Sequence, residues 1–119
     1  MILALVVHAA DVQDRDGARR VLYRMRGRYP RLVQIWADGS YTGTLARWAR
    51  QWTHAVLTLV HKRLGQATFE VLPKRWIIER TFAWLGRYRR LSKDYEHRPR
   101  SSEAWIYLAM IHLMVRRLA

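Results

Sequence analysis

The chain has 119 residues, with 22 Lys and Arg against nine Asp and Glu, a formal net charge of +13, six Trp, six Tyr and no Cys. A chain of this length supports one hydrophobic core, which excludes a multidomain reading, and its half-apolar composition excludes a disordered basic tail. The lack of cysteine excludes disulfides, thiolate metal sites and thiol nucleophiles, fits a reducing cytoplasm, and leaves histidine and carboxylate as ligands or bases.

The first ten residues, MILALVVHAA, end in small residues like a signal peptide, but they lack a basic leading segment and His8 interrupts the apolar run. The run is also too short to cross a bilayer. It is predicted to be a buried strand. Next, Asp11, Asp14 and Asp16 form a polar turn, and Ala18, Val21, Leu22 and Met25 recur at helical spacing, with Arg19, Arg20 and Arg26 on the opposite face. Asp14 or Asp16 is expected to cap this helix, and Gly27 and Pro30 to end it, so the carboxylates have a structural role without a metal. Residues 32–37 then read as a strand ending in Asp38-Gly39, and Leu45, Trp48, Ala49 and Trp52 mark a second helix. Residues 55–60 read as a further strand and residues 67–72 as a short edge strand. Strands alternating with helices predict an α/β fold with a largely parallel sheet.

The last third is predicted to be helical. Pro73 starts a helix over residues 74–86, with Ile78, Phe82 and Leu85 on one side. Pro99 marks a break, and Ser101 or Ser102 is expected to cap a final helix, with Glu103 near its positive end and Arg116 and Arg117 near its negative end. Residues 104–115 are apolar nearly all round, which predicts burial against a sheet.

The charge is spread along the chain, with nine basic against four acidic residues in residues 1–60 (net +5) and thirteen against five in residues 61–119 (net +8). It therefore belongs to the folded surface and points to a polyanion, nucleic acid first, with an acidic membrane surface or acidic protein as alternatives. Asp38, at the end of a strand, is placed where α/β sheets bind ligands, although Asp-Gly by itself is accounted for by a turn. Glu79 lies mid-helix, four residues after Arg75, a spacing equally consistent with an exposed ion pair. Carboxylate oxygens suit hard divalent metals, which can drive phosphoryl displacement, but two carboxylates are fewer than such a site usually needs. The five histidines show no zinc-ligand spacing. Trp48 and Trp52, on an apolar stripe, read as core in preference to base-stacking platforms, and Trp76 and Trp84 as braces of the Glu79 helix.

Residues 71–96, VLPKRWIIERTFAWLGRYRRLSKDYE, resemble the C-terminal signature of DDE transposases of bacterial insertion sequences, specifically the insertion-sequence-five family. VVHAADVQDRDGA, WADGSYTG and SSEAWIYLAMIHLMVRRLA are similar to the corresponding segments, so the resemblance covers essentially the whole chain. It implies a ribonuclease H-like core with a mixed, mostly parallel sheet packed by helices, in which three acidic residues hold two magnesium ions to cut and join DNA at transposon ends. Asp38 matches the second acidic residue and Glu79 the third, as catalytic and metal-binding groups. In the related tyrosine-x2-arginine-x3-glutamate-x6-lysine signature Arg75 and Glu79 fit, while Leu72 and Gly86 stand at the tyrosine and lysine positions. Arg75, Arg80, Arg87, Arg89, Arg90 and Lys93 are the candidate DNA contacts, arginine having the fork geometry that phosphate favours.

The resemblance also implies that residues 1–119 are the C-terminal part of a catalytic domain, whose first acidic residue lies upstream. Asp11, past a later strand, is no substitute. The expected partners are transposon-end DNA, an N-terminal transposase half from an upstream reading frame and a second copy of the chain, with no membrane, in a bacterial cytoplasm at the nucleoid. Alone, the chain is expected to be inactive. A non-catalytic basic DNA-binding fragment and a gene remnant too incomplete to fold cooperatively are the competing readings.

Overall fold

A computed structural model describes residues 1–41, 43–60 and 74–119. The chain divides into two compact units, one of Ala10–Pro73 and one of Met1–Ala9 with Lys74–Ala119. Each has its own small cluster of buried side chains.

The first of these units is α/β. Helix α1 (Asp14–Met25) is followed by strand β1 (Gln34–Asp38), a 3-10 turn (Gly39–Tyr41), helix α2 (Leu45–Thr53) and strand β2 (Val56–Val60). The strands pair in parallel with Gln34 opposite Val56 and Asp38 opposite Val60, and α2 is the crossover that parallel pairing requires. Alternation in β1 turns Ile35 and Ala37 inward and leaves Gln34, Trp36 and Asp38 exposed. The core joins Leu22 of α1 to Leu45 and Ala49 of α2, with Ala18, Ile35, Tyr41, Trp48 and Leu57 packed around them. Trp48 is thus part of the core margin, as its stripe predicts.

Helix α1 ends as expected, at Gly27, whose φ of +70° only glycine adopts without strain. Its start differs. The N-cap is Gln13 with no side-chain cap, and Asp14 and Asp16 lie within the first turn, where they favour the dipole in place of capping.

The second unit contains α3 (Arg75–Leu85), a 3-10 turn (Arg89–Leu91) and α4 (Pro99–Leu118). Its core is Leu85, Ala109 and Met110, against which Ile2, Tyr88, Leu91, Ile106 and Leu113 pack. Three expectations are corrected here. Residues 1–9 form no strand: Ile2 is spent on this helical cluster, and the Val7 N–H donates to Glu103 Oε1 at 3.0 Å instead of to a neighbouring strand. Pro99 begins α4 and does not interrupt the chain before it, because a proline in the first turn needs no N–H; Arg98 is the N-cap, and Ser101 and Ser102 lie inside the helix. The apolar faces are covered only in part. Leu85 is buried, but Ile78 is 56% and Phe82 69% exposed, and Leu108, Ile111 and Val115 of α4 are more than half exposed. In α4 the buried side is the Ile106, Ala109, Met110, Leu113 stripe, packed with Leu85 of α3, Tyr88, Leu91 and Ile2, with no sheet strand among the described residues that cover it.

The edge strand at residues 67–72 and the role of Pro73 lie outside the described residues. Among the described residues the fold is mixed α/β, with four α-helices and a two-stranded parallel sheet. No helix there is long and apolar enough to cross a membrane.

Candidate active site and basic surface

Asp38 closes β1 and is exposed. The Ser40 backbone N–H donates to Asp38 Oδ1 at 2.9 Å, and the Ser40 hydroxyl donates to the same oxygen. The chain turns directly after the strand, so this pair of donors fixes the carboxylate as an Asx-turn does. Tyr41 follows in the turn. Burial raises its hydroxyl above the ordinary 10.0, and the negative charges of Asp14 and then Asp38 push the same way. Asp14 therefore acts electrostatically on the same turn as Asp38. Sequence reasoning missed Ser40, Tyr41 and this link to Asp14; the serine two residues after an aspartate was the available signal.

Glu79 sits in the middle of α3, in the other unit. Arg75 Nε donates to Glu79 Oε1 at 3.1 Å, with the two side chains 58% and 65% exposed. An i, i+4 ion pair that open contributes at most about 0.5 kcal/mol.

The remaining basic candidates share the Glu79 unit but differ in what they touch. The Arg80 guanidinium lies 4.4 Å from the Trp76 ring centroid and 4.7 Å from that of Trp84, whose ring also carries Arg117 at 4.2 Å. Trp76 is half exposed, so these tryptophans hold arginines, a role not evident from their −3 and +5 spacing about Glu79. Arg90 pairs with Glu96 at 3.4 Å and lies 5.3 Å from the Trp105 ring. Arg87, Arg89 and Lys93 are exposed with no ion pair among the described residues. They are the side chains most available to an anion.

A family model described as the transposase DDE domain matches residues 1–114. The chain belongs to the transposase DDE domain family. No curated protein and no solved structure matches it. The match spans both units, and Asp38 and Glu79 both fall within it. Among the described residues no group of three His, Cys, Asp or Glu side chains is gathered to hold a metal ion.

Proposed function

We propose that this chain contributes two of the three catalytic carboxylates of a DDE transposase of the insertion-sequence-five type. Asp38 and Glu79 are the two, on a ribonuclease H-like core, and the third is supplied from outside residues 1–119. The observation that carries the reading is Asp38 at the carboxyl end of a parallel strand, exposed and fixed by Ser40, in a chain that belongs to the DDE family.

The donor chemistry fits magnesium. Both groups offer carboxylate oxygens, the ligand that hard divalent cations prefer, and both are exposed. Such ions, when bound, activate water or a 3′-hydroxyl and stabilise the leaving oxygen of a phosphodiester. Ser40 orients one carboxylate. Arg75 neutralises Glu79, which would hold a divalent cation through the same carboxylate. Arg87, Arg89 and Lys93 hold the phosphate backbone near α3, with Arg75, Arg80 and Arg90 beside them. The setting is the bacterial cytoplasm, at transposon-end DNA, with an N-terminal transposase half and a second copy of the chain as protein partners. Exposed Ile78 and Phe82 on the Glu79 helix are apolar surface that such a completing segment would cover.

The test supplies the chain together with the products of the DNA immediately upstream, translated in all three frames, and measures strand cleavage at transposon ends. Asp38→Asn or Glu79→Gln is expected to lower cleavage by a factor of roughly a hundred to a thousand, several kcal/mol of metal-derived stabilisation at about 1.4 kcal/mol per tenfold. Cleavage by the purified chain alone that persists after Glu79→Gln overturns the proposal.

A second reading is favoured by the charge of +13: a non-catalytic DNA-binding fragment. It predicts binding that falls steeply with salt and is indifferent to Asp38→Asn, with no cleavage once the upstream products are present.

A further inference from the structure

Helices α1 and α2 meet along a seam on the outside of the α/β unit. The Arg19 guanidinium donates to Thr44 Oγ1 at 3.3 Å, at the start of α2. One turn further along α1, the Tyr23 ring meets Trp52 at 6.3 Å between centroids, and Arg26 lies 4.5 Å from the Trp52 ring near the end of α2. These contacts place Arg19, Tyr23 and Arg26, at i, i+4 and i+7, on one edge of α1. Thr44 and Trp52 stand opposite them, and the helices run in the same direction. Arg47, three residues after Thr44, shares its face of α2. Arg19, Arg26 and Arg47 are exposed, and α2 contains no acidic residue.

The acidic groups of α1 are confined to its first turn, at Asp14 and Asp16. Asp14 is the end that acts on Tyr41, beside Asp38. Arg26 is twelve residues away, about 18 Å along the helix. The unit is therefore polarised, with the candidate catalytic carboxylate at one end and, leading to the other, a row of arginines that has no ion pair among the described residues.

We infer that the α1–α2 seam is a second binding surface for double-stranded DNA, contacted through its phosphates by Arg19, Arg26 and Arg47, a different set of residues from the basic ones around Glu79. Arginine forks held by stacking on Trp52 and by hydrogen bonding to Thr44 lose little freedom on meeting a phosphate. A membrane is disfavoured because the apolar stripe of α1 is committed to the core at Ala18 and Leu22, which leaves no face to insert. Duplex DNA needs no insertion.

The test uses the whole 119-residue chain and a random-sequence duplex, with binding followed by fluorescence anisotropy across a range of salt. Replacing Arg19, Arg26 and Arg47 together by Gln is expected to reduce the slope of log affinity against log salt by about 2 to 3, from roughly 0.9 per phosphate contact. The same three positions replaced by Lys restore the slope, and both variants keep the parent melting transition by circular dichroism. A Gln variant that melts like the parent and binds with an unchanged slope overturns the inference. So does a Lys variant that fails to restore it, or a loss seen only on anionic phospholipid vesicles or a polyglutamate probe and not on the duplex. These outcomes are independent of Asp38 and Glu79, whose failure in the cleavage assay would leave the seam standing.

Discussion

Ser40 donates twice to one oxygen of Asp38, through its amide at 2.9 Å and through its hydroxyl. The side chain is exposed, so Ser40→Ala is expected to cost no more than about 1 kcal/mol of stability. Its effect on strand cleavage is expected to be larger than that cost implies, a several-fold loss smaller than that of Asp38→Asn, because the carboxylate loses the hydroxyl that helps to orient it. A denaturant melt and the cleavage assay, run on the same variant, separate the two effects. Unchanged cleavage would show that the hydroxyl does not position Asp38.

Arg75 and Glu79 test whether their ion pair matters for folding or for DNA. With both side chains more than half exposed, Arg75→Gln is expected to change stability by at most about 0.5 kcal/mol. The same change is expected to flatten the salt dependence of DNA binding by about one phosphate contact, a slope change of roughly 0.9. Replacing Arg87, Arg89 and Lys93 together should flatten it by about two to three contacts, since none of the three is held by an ion pair among the described residues. A melt shifted by Arg75→Gln with binding unchanged would assign the pair to structure alone.

The elements around Asp38 were legible because their signals are local. A short apolar run ending in Asp38-Gly39, a glycine at the end of α1 and a helical stripe through Leu45 and Ala49 each decide a few residues independently of the rest. Where reasoning failed, a non-local partner decided the outcome. The first nine residues have the composition of a strand, but a ladder needs a neighbour, and Ile2 and Val7 found helical partners. Residues 104–115 are apolar all round, yet composition cannot say which half of a helix is covered. At the site, Asp38 and Glu79 came from a family resemblance, whereas Ser40, Tyr41 and the Trp76–Arg80–Trp84 stack depend on side-chain geometry that spacing does not encode.

Tyr41 supplies a pH-dependent check on the turn that follows Asp38. Its hydroxyl is raised above 10.0 by burial first, then by Asp14 and Asp38. A phenol that holds its proton more tightly when folded contributes stability that is fully present below the unfolded value. That contribution is lost as pH rises through the folded value. The difference between the alkaline absorbance titrations of the parent and of Tyr41→Phe isolates this residue from the other tyrosines. The expected midpoint lies above 10.0 in the parent and falls, without returning to 10.0, in Asp38→Asn, because burial and Asp14 remain. A midpoint unmoved by Asp38→Asn would mean that the carboxylate does not face the phenol.

Burial sets opposite expectations for apolar residues that look alike in sequence. Leu45 is 1% exposed at the centre of the α/β unit and Leu85 is 8% exposed in the helical unit, whereas Phe82, on the same helix as Leu85, is 69% exposed. Leu45→Ala and Leu85→Ala each remove a side chain enclosed by its own cluster, and each is expected to cost about 2–5 kcal/mol. Phe82→Ala removes a ring that buries little within the chain, so its cost is expected to be within about 0.5 kcal/mol, typical of surface positions. Urea melts of the three variants measure this. If the completing segment of a transposase covers the Glu79 helix, the order changes in its presence: Phe82→Ala then weakens association and cleavage while leaving the melt of the isolated chain intact. A Phe82→Ala chain that is as unstable alone as Leu85→Ala would instead place the ring in the core of the helical unit.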